Sequence, residues 1–219
     1  MKIPPALALS LLHRAPFATL ATHSLNLPGY PHATAVPNVQ DEAHCPLLLL
    51  SDLAEHSKNL QADPRVSLSI LDPDAADPSS PQTAARLTLT GNIERLPPAA
   101  LDSPLCQRYL RYQPDAADYL ALDFAFYRLQ PRRLRYIGGV GRMGWIEAEE
   151  WQDLPALTAA EENEGLARLT PQLPPGITLL GLDPLGIDYR QHGQRRRFEL
   201  TGPLDSALPT FLAALQEQP

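Results

Sequence analysis

Cysteine is almost missing: the 219 residues hold two, Cys45 and Cys106, with no CxxC spacing. That excludes a disulfide framework and a cysteine-built zinc site, and it suits a reducing, cytoplasmic setting. Charge is sparse as well. Charged residues make up 20% of the chain and the net charge is −7, so nothing global points to a nucleic-acid or membrane partner. The one basic run, Arg195-Arg196-Arg197, has no interleaved aromatic residue and reads as a solvated strand end. No apolar run is long enough to span a bilayer, because Pro4-Pro5 interrupts the first segment and His13-Arg14 ends it. That segment reads as a short N-terminal helix belonging to the mature protein.

Several catalytic signatures are also missing. There is no Gly-x-Ser-x-Gly elbow, no Ser-His-Asp order and no pair of carboxylates at useful spacing. Gly138, Gly139 and Gly141 do not follow the GxGxxG spacing of a dinucleotide fold, and read instead as a tight backbone turn. His23 and His32 flank the first hairpin without a carboxylate or cysteine at ligand spacing, so no metal site is expected. No internal repeat or heptad pattern is present. Any chemistry is therefore expected to rest with a bound cofactor that the protein positions.

Proline is abundant. The 24 prolines are roughly twice the usual share of ~5% and punctuate the chain between periodic segments. Pro4-Pro5 starts a helix to about Arg14. Strands are predicted at Phe17–Thr22, His32–Pro37, Leu47–Leu50, Val66–Ile70 and Arg86–Arg95, the last with a bulge at Gly91. Asp72–Thr83 is a loop by composition. A helical region is expected from Pro97-Pro98 to Leu122, broken at Pro114. Two further strands, Phe124–Leu129 and Leu134–Ile137, are expected on either side of Pro131. Short strands with helices held to the intervals argue an antiparallel barrel over residues 1–150. Residues 151–219 read as a small α–β–β–β–α domain, with a helix at Thr158–Leu169, strands at Ile177–Leu182, Ile187–Tyr189 and Arg197–Leu200, and a closing helix at Leu204–Leu215.

The stretch Pro46–Ile70, PLLLLSDLAEHSKNLQADPRVSLSI, carries the most chemistry. An apolar strand ends at Ser51, a short helix follows with His56 and Lys58, and Asp63-Pro64 leads into the next strand. A hydroxyl, an imidazole and an ammonium around one strand end and one helical turn would suit a phosphate. Arg86 alternates with Leu87 and Leu89, so its side chain faces away from the core pair. A cation on that face could bind phosphate or carboxylates through paired hydrogen bonds. Trp145 and Tyr136 could stack on a flat ring, although aromatics at strand ends usually serve packing.

Four segments, FATLAT, GYPHATAV, the Pro46–Ile70 stretch and ARLTLTG, resemble the flavin-binding split-barrel proteins related to pyridoxamine 5′-phosphate oxidase, and more narrowly their haem-utilisation branch. FYRLQPRRLRYIGGVG is similar to the closing strands of that barrel, and LGLDPLGIDYR with RRRFEL to the small C-terminal domain many of these proteins append. The resemblance implies an α+β chain: a six-stranded antiparallel split β-barrel followed by a small α/β domain. It implies a cytoplasmic homodimer, a flavoprotein or haem-handling oxidoreductase with FMN, or haem as the alternative ligand, at the subunit interface. The implied cofactor-binding positions are Thr34, Leu50, Ser51, His56, Lys58 and Arg86. The oxidases carry Arg and Lys where this chain has Thr34 and His56. Of the HMNxDH pattern in the haem branch, only Asn163 remains in Glu161–Leu166. The competing expectation is a non-catalytic split-barrel module that grips another protein and holds no cofactor.

Overall fold

The structure is a computed structural model that describes residues 2–75, 83–99, 102–139 and 141–216. Residues 76–82 of the expected loop and Val140 of the glycine turn lie outside the described residues. The chain divides into two units, Met1–Leu154 and Pro155–Pro219. No described helix is long and apolar enough to cross a membrane.

The first unit opens with α1 (Pro5–Arg14), whose prolines sit where a helix can do without their N–H groups. The strands β1 (Phe17–His23), β2 (Pro31–Pro37), β3 (Val39–Gln40), β4 (Pro46–Ser51), β5 (Arg65–Leu71), β6 (Arg86–Arg95), β7 (Phe124–Ile137) and β8 (Met143–Glu147) make one antiparallel sheet. Its order is β2-β1-β5-β6-β7-β4-β3, with β8 also paired to β7. β2, at one end, comes back within contact of β4 near the other, so the sheet curls into a barrel split along that seam. Two strands beyond the expected six are present: the two-residue β3 and the strand β8 after the glycine turn. α2 (Glu55–Ala62) follows β4, and α4 (Ala148–Gln152) follows β8.

Period-two patterning sets which face is buried. Leu20, Leu68, Leu89, Leu134 and Ile146 are fully buried and lie in one cross-strand row. β4 is buried on both faces through Leu50, as a continuous apolar run requires.

The two strands expected around Pro131 are a single strand. Pro131 stands opposite Gly91, where the β6–β7 register shifts, so its missing N–H falls at a bulge and the ladder continues past it. A Cβ at position 91 would lie 2.1 Å from the Gln130 carbonyl oxygen, so only glycine lets this bulge close. The helical region also begins later than expected. Ser103 Oγ accepts from the Cys106 N–H at 3.3 Å and Pro104 opens α3 (Pro104–Tyr112). A 3₁₀ segment, Pro114–Ala121, follows.

The second unit holds α5 (Ala159–Leu169), β9 (Ile177–Asp183), β10 (Gly186–Gln191), β11 (Gln194–Glu199) and α6 (Leu204–Gln216). Its sheet order is β11-β10-β9. Leu166, Leu169, Leu182, Ile187, Tyr189 and Phe211 are among its core residues. Thr158 and Glu161 cap α5 reciprocally. The basic run is not a solvated strand end. The Arg197 side chain is buried and donates to Asp183 and Asp188, each at 2.8 Å. The alternation of β11 turns it inward, and the two carboxylates offset the cost of desolvating it.

Candidate functional site

The α2 end of the barrel is built by short polar contacts. Asn59 Nδ2 donates to Thr22 Oγ1 at 3.0 Å and its Oδ1 accepts from the Leu25 N–H at 2.9 Å, which pins α2 to the end of β1. This sets the start of α2 beside β2, where His32 Nδ1 stands 3.6 Å from Glu55 Oε1. The carboxylate partner that local spacing does not offer His32 is supplied by the fold. Thr34, two residues along β2, shares the His32 face. His56 is half-buried and its Nε2 finds no hydrogen-bond partner. Burial, with repulsion from His32 second, pushes its pKa below the ordinary imidazole value. Lys58 is exposed one position past Ser57, and Leu50 is buried opposite Ala125 in the β4–β7 ladder.

Ser51 does not stand open to a phosphate. Its Oγ donates to Asp123 Oδ2 at 2.6 Å, and the Leu53 N–H points at both oxygens, at 3.1 Å and 3.3 Å. The Ser51 hydroxyl, then backbone N–H groups, hold the Asp123 carboxyl below its usual range, so it is anionic at neutral pH. An arriving phosphate would meet a fixed negative charge and donors already in use. In this arrangement the Ser51 hydroxyl and the Leu53 N–H are engaged at the strand end.

Arg86 lies elsewhere. Thr34, Leu20, Leu68 and Leu89 form one inward row, and Arg86, three residues before Leu89, projects from the opposite face of the sheet. Within one chain it therefore does not join Thr34 and His56. The outer face has its own order. One row reads Ala35, Thr19, Ser69, Thr88, Arg135, Trp145, and the next Ala33, Ala21, Ser67, Thr90, Arg133, Glu147. A third carries Leu71, Arg86, Ile137 and Met143. Phe17 and Leu71 are 63% and 50% exposed and help line a shallow cavity of about 340 Å³ with Thr19, Ala35 and Ser69. The Trp145 ring lies 4.2 Å from the Arg133 guanidinium and 5.0 Å from that of Arg135, while Arg133 bridges Glu147 at 2.9 Å. Small side chains in the middle, apolar ones at one end and guanidiniums beside an indole at the other suit a flat apolar molecule bearing carboxylates.

Residues 2–153 match the family CREG, beta-barrel. The chain belongs to this family of split barrels. Its haem-utilisation branch is the one that contains the noncanonical haem oxygenase HOZ of the Arabidopsis thaliana chloroplast. HOZ is 30% identical over 207 residues, a match covering 84% of this chain and 62% of HOZ. The chain thus spans less than two-thirds of that relative. Among solved structures, an Agrobacterium tumefaciens protein of unknown function has 24% identity and a TM-score of 0.72, over 97% of this chain and 93% of that one. A haem-binding protein of Mycobacterium smegmatis has 24% identity and a TM-score of 0.62, over 100% and 99%. At these identities the structural likeness shows the fold.

In this CREG-type barrel, sequence reasoning found Arg86 and its orientation but missed Arg133 and Arg135. Both sit in the strand RRLRY, opposite Trp145, for which the sequence leaves ring stacking and packing both open. A period-two reading of that strand against Trp145 would have placed all three on one face, once the register of β7 with β8 was known.

Proposed function

We propose that this CREG-type split barrel binds haem on the outer face of its sheet, between two copies of the chain, and acts as an oxidoreductase on it. The observation that carries the reading is the outer-face pair Arg133 and Arg135 beside Trp145, with Arg86 on the same face in the neighbouring row. Relatedness to a haem oxygenase supports the choice of ligand. The fit is chemical: guanidiniums pair with propionate carboxylates, the small residues of the central rows admit a flat macrocycle, and exposed Phe17, Leu71 and Met143 supply apolar contact. Haem, when bound, would bring the redox chemistry, and the chain's own residues would hold its carboxylates and shield its face from water. The same surface, whose central rows carry small side chains, suits a second copy packed face to face by a two-fold axis.

Flavin is the weaker fit. Thr34 and His56 are poor phosphate partners, and Asp123 repels a phosphate at the strand end. Titrating the protein with haemin and, separately, with FMN tests the reading. A saturable Soret shift at one haem per dimer, lost in an Arg86→Ala, Arg133→Ala variant, is the expected result. Flavin uptake without a Soret shift would favour the oxidase-like reading. Uptake of neither, with an intact dimer, would favour a non-catalytic module. Among the described residues of β1, His23 is the imidazole on this outer face, and a His23→Ala complex with an unchanged spectrum would place the iron ligand elsewhere.

A further inference from the structure

The second unit contains a cavity of about 460 Å³ that the proposed haem face does not use. Its walls come from α5, the β9–β10 turn and the segment leading into α6. Leu157, Leu182, Pro184, Leu200, Pro203 and Leu204 make it apolar, at a size typical of small-molecule pockets. Gly165 lets helix and sheet close on its inner side, since a Cβ there would lie 2.3 Å from Leu182 Cδ2.

The charges around it are one-sided. Glu161 and Glu164 lie three residues apart on α5, so both reach the same rim. Hydrogen bonds from the Thr158 N–H and hydroxyl hold the Glu161 carboxyl below its usual range, which keeps it anionic. The cation that lines the cavity, Arg168, is bridged to Asp205 at 2.9 Å. The deeper carboxylate, Asp183, is held by Arg197 at 2.8 Å. With Arg168 engaged by Asp205, the two rim carboxylates face an apolar interior that holds no second cation among the described lining residues.

We infer that this cavity binds a small amphiphilic cation, an apolar ring or chain carrying one protonated amine, with the apolar body against Leu182, Leu200 and Leu204 and the ammonium at Glu161 and Glu164. A neutral hydrophobe would fill the interior but leave the carboxylates unanswered, and an anion would be repelled by them.

Two probes of the same ring system and opposite charge separate these cases: 1-naphthylmethylamine and 1-naphthylacetate. Both are titrated into the full chain, followed by amide chemical shifts. The ammonium should bind saturably with shifts centred on residues 157–168 and 200–204, and the carboxylate at least about tenfold more weakly, a difference of ~1.4 kcal/mol. Glu164 is exposed, so Glu164→Gln leaves the fold intact and should cost the ammonium several-fold in affinity without changing the carboxylate. Position 202 has open space for a side chain, so Gly202→Trp should plug the cavity and remove the shifts, with the melting temperature reporting the fold. Equal affinity for the two probes, shifts centred elsewhere, or ammonium binding untouched by both variants would overturn the inference.

Discussion

The two faces of the barrel sheet use their polar groups differently. On the inner side, at α2, Glu55 answers His32 and His56 is kept neutral by burial, while at the end of β4 the hydroxyl of Ser51 is spent on Asp123. On the outer side, Arg133 and Arg135 flank a half-exposed indole in a row that continues into alanine, serine and threonine. The inner cluster has the appearance of a binding site in the sequence because its residue types sit close together along the chain. The outer set is dispersed over residues 86–145 and is assembled by strand pairing. Residue types mark where polar groups are; strand pairing decides which of them share one surface.

The largest test of this contrast is ligand affinity. Removing Arg86 and Arg133 together should weaken haemin binding by about 100-fold or more, since charge-assisted hydrogen bonds contribute ~1.5–3 kcal/mol each. Ser51→Ala and Lys58→Ala should each change it less than about threefold. Spectroscopic titration of the three variants decides the matter, and a reversed ranking would return the site to α2. Next in size is assembly. Thr19 lies in the middle row of the outer face, so Thr19→Glu would place like charges opposite each other across a two-fold contact, a cost of several kcal/mol. Light scattering should show a dimer becoming a monomer; an unchanged dimer would mean the copies meet through another surface.

A smaller effect is expected at the strand end. Asp123→Ala leaves the Ser51 hydroxyl without its acceptor, at a surface site, while the Leu53 N–H keeps Ser51 Oγ, so it should lower unfolding free energy only slightly while haemin affinity stays unchanged. Denaturant unfolding and the Soret titration together read both halves of that statement. Weakened haemin binding at unchanged stability would mean that the inner cluster does touch the ligand.

Much of the fold was legible. β1, β4, β6 and α5 show clean periodicities, and the Gly91 bulge was readable because a lone glycine inside an alternating strand has few other reasons to be there. Pro131 misled because proline usually ends a strand, and only the partner strand reveals that its position is a bulge. Arg197 misled in a similar way: a run of three arginines reads as solvent-facing until β9 and β10 bring Asp183 and Asp188 to it. Arg86 was placed correctly on the non-core face by alternation alone. Arg133 and Arg135 on the same face were not, because which residues share a face across strands depends on register, and register is set by long-range pairing.

The finest distinction between the two faces is their response to acid. The unfolded chain takes up a proton on His56 near the ordinary imidazole value of about 6.5, whereas burial and the neighbouring His32 hold the folded pKa below it. Between those two values the unfolded state binds more protons, so stability is complete above about pH 6.5 and falls as the pH drops through and below it. A variant without this imidazole, His56→Gln, should lose that part of the slope, with unfolding curves at pH 7.5 and pH 5.5 lying closer together than in the wild type. Haemin affinity compared at the same two pH values should not follow His56, because the arginines proposed to hold the ligand keep their charge throughout this range. If the His56→Gln change instead flattened the pH dependence of ligand binding, α2 and the outer face would be coupled through the sheet, and the separation between them would fail.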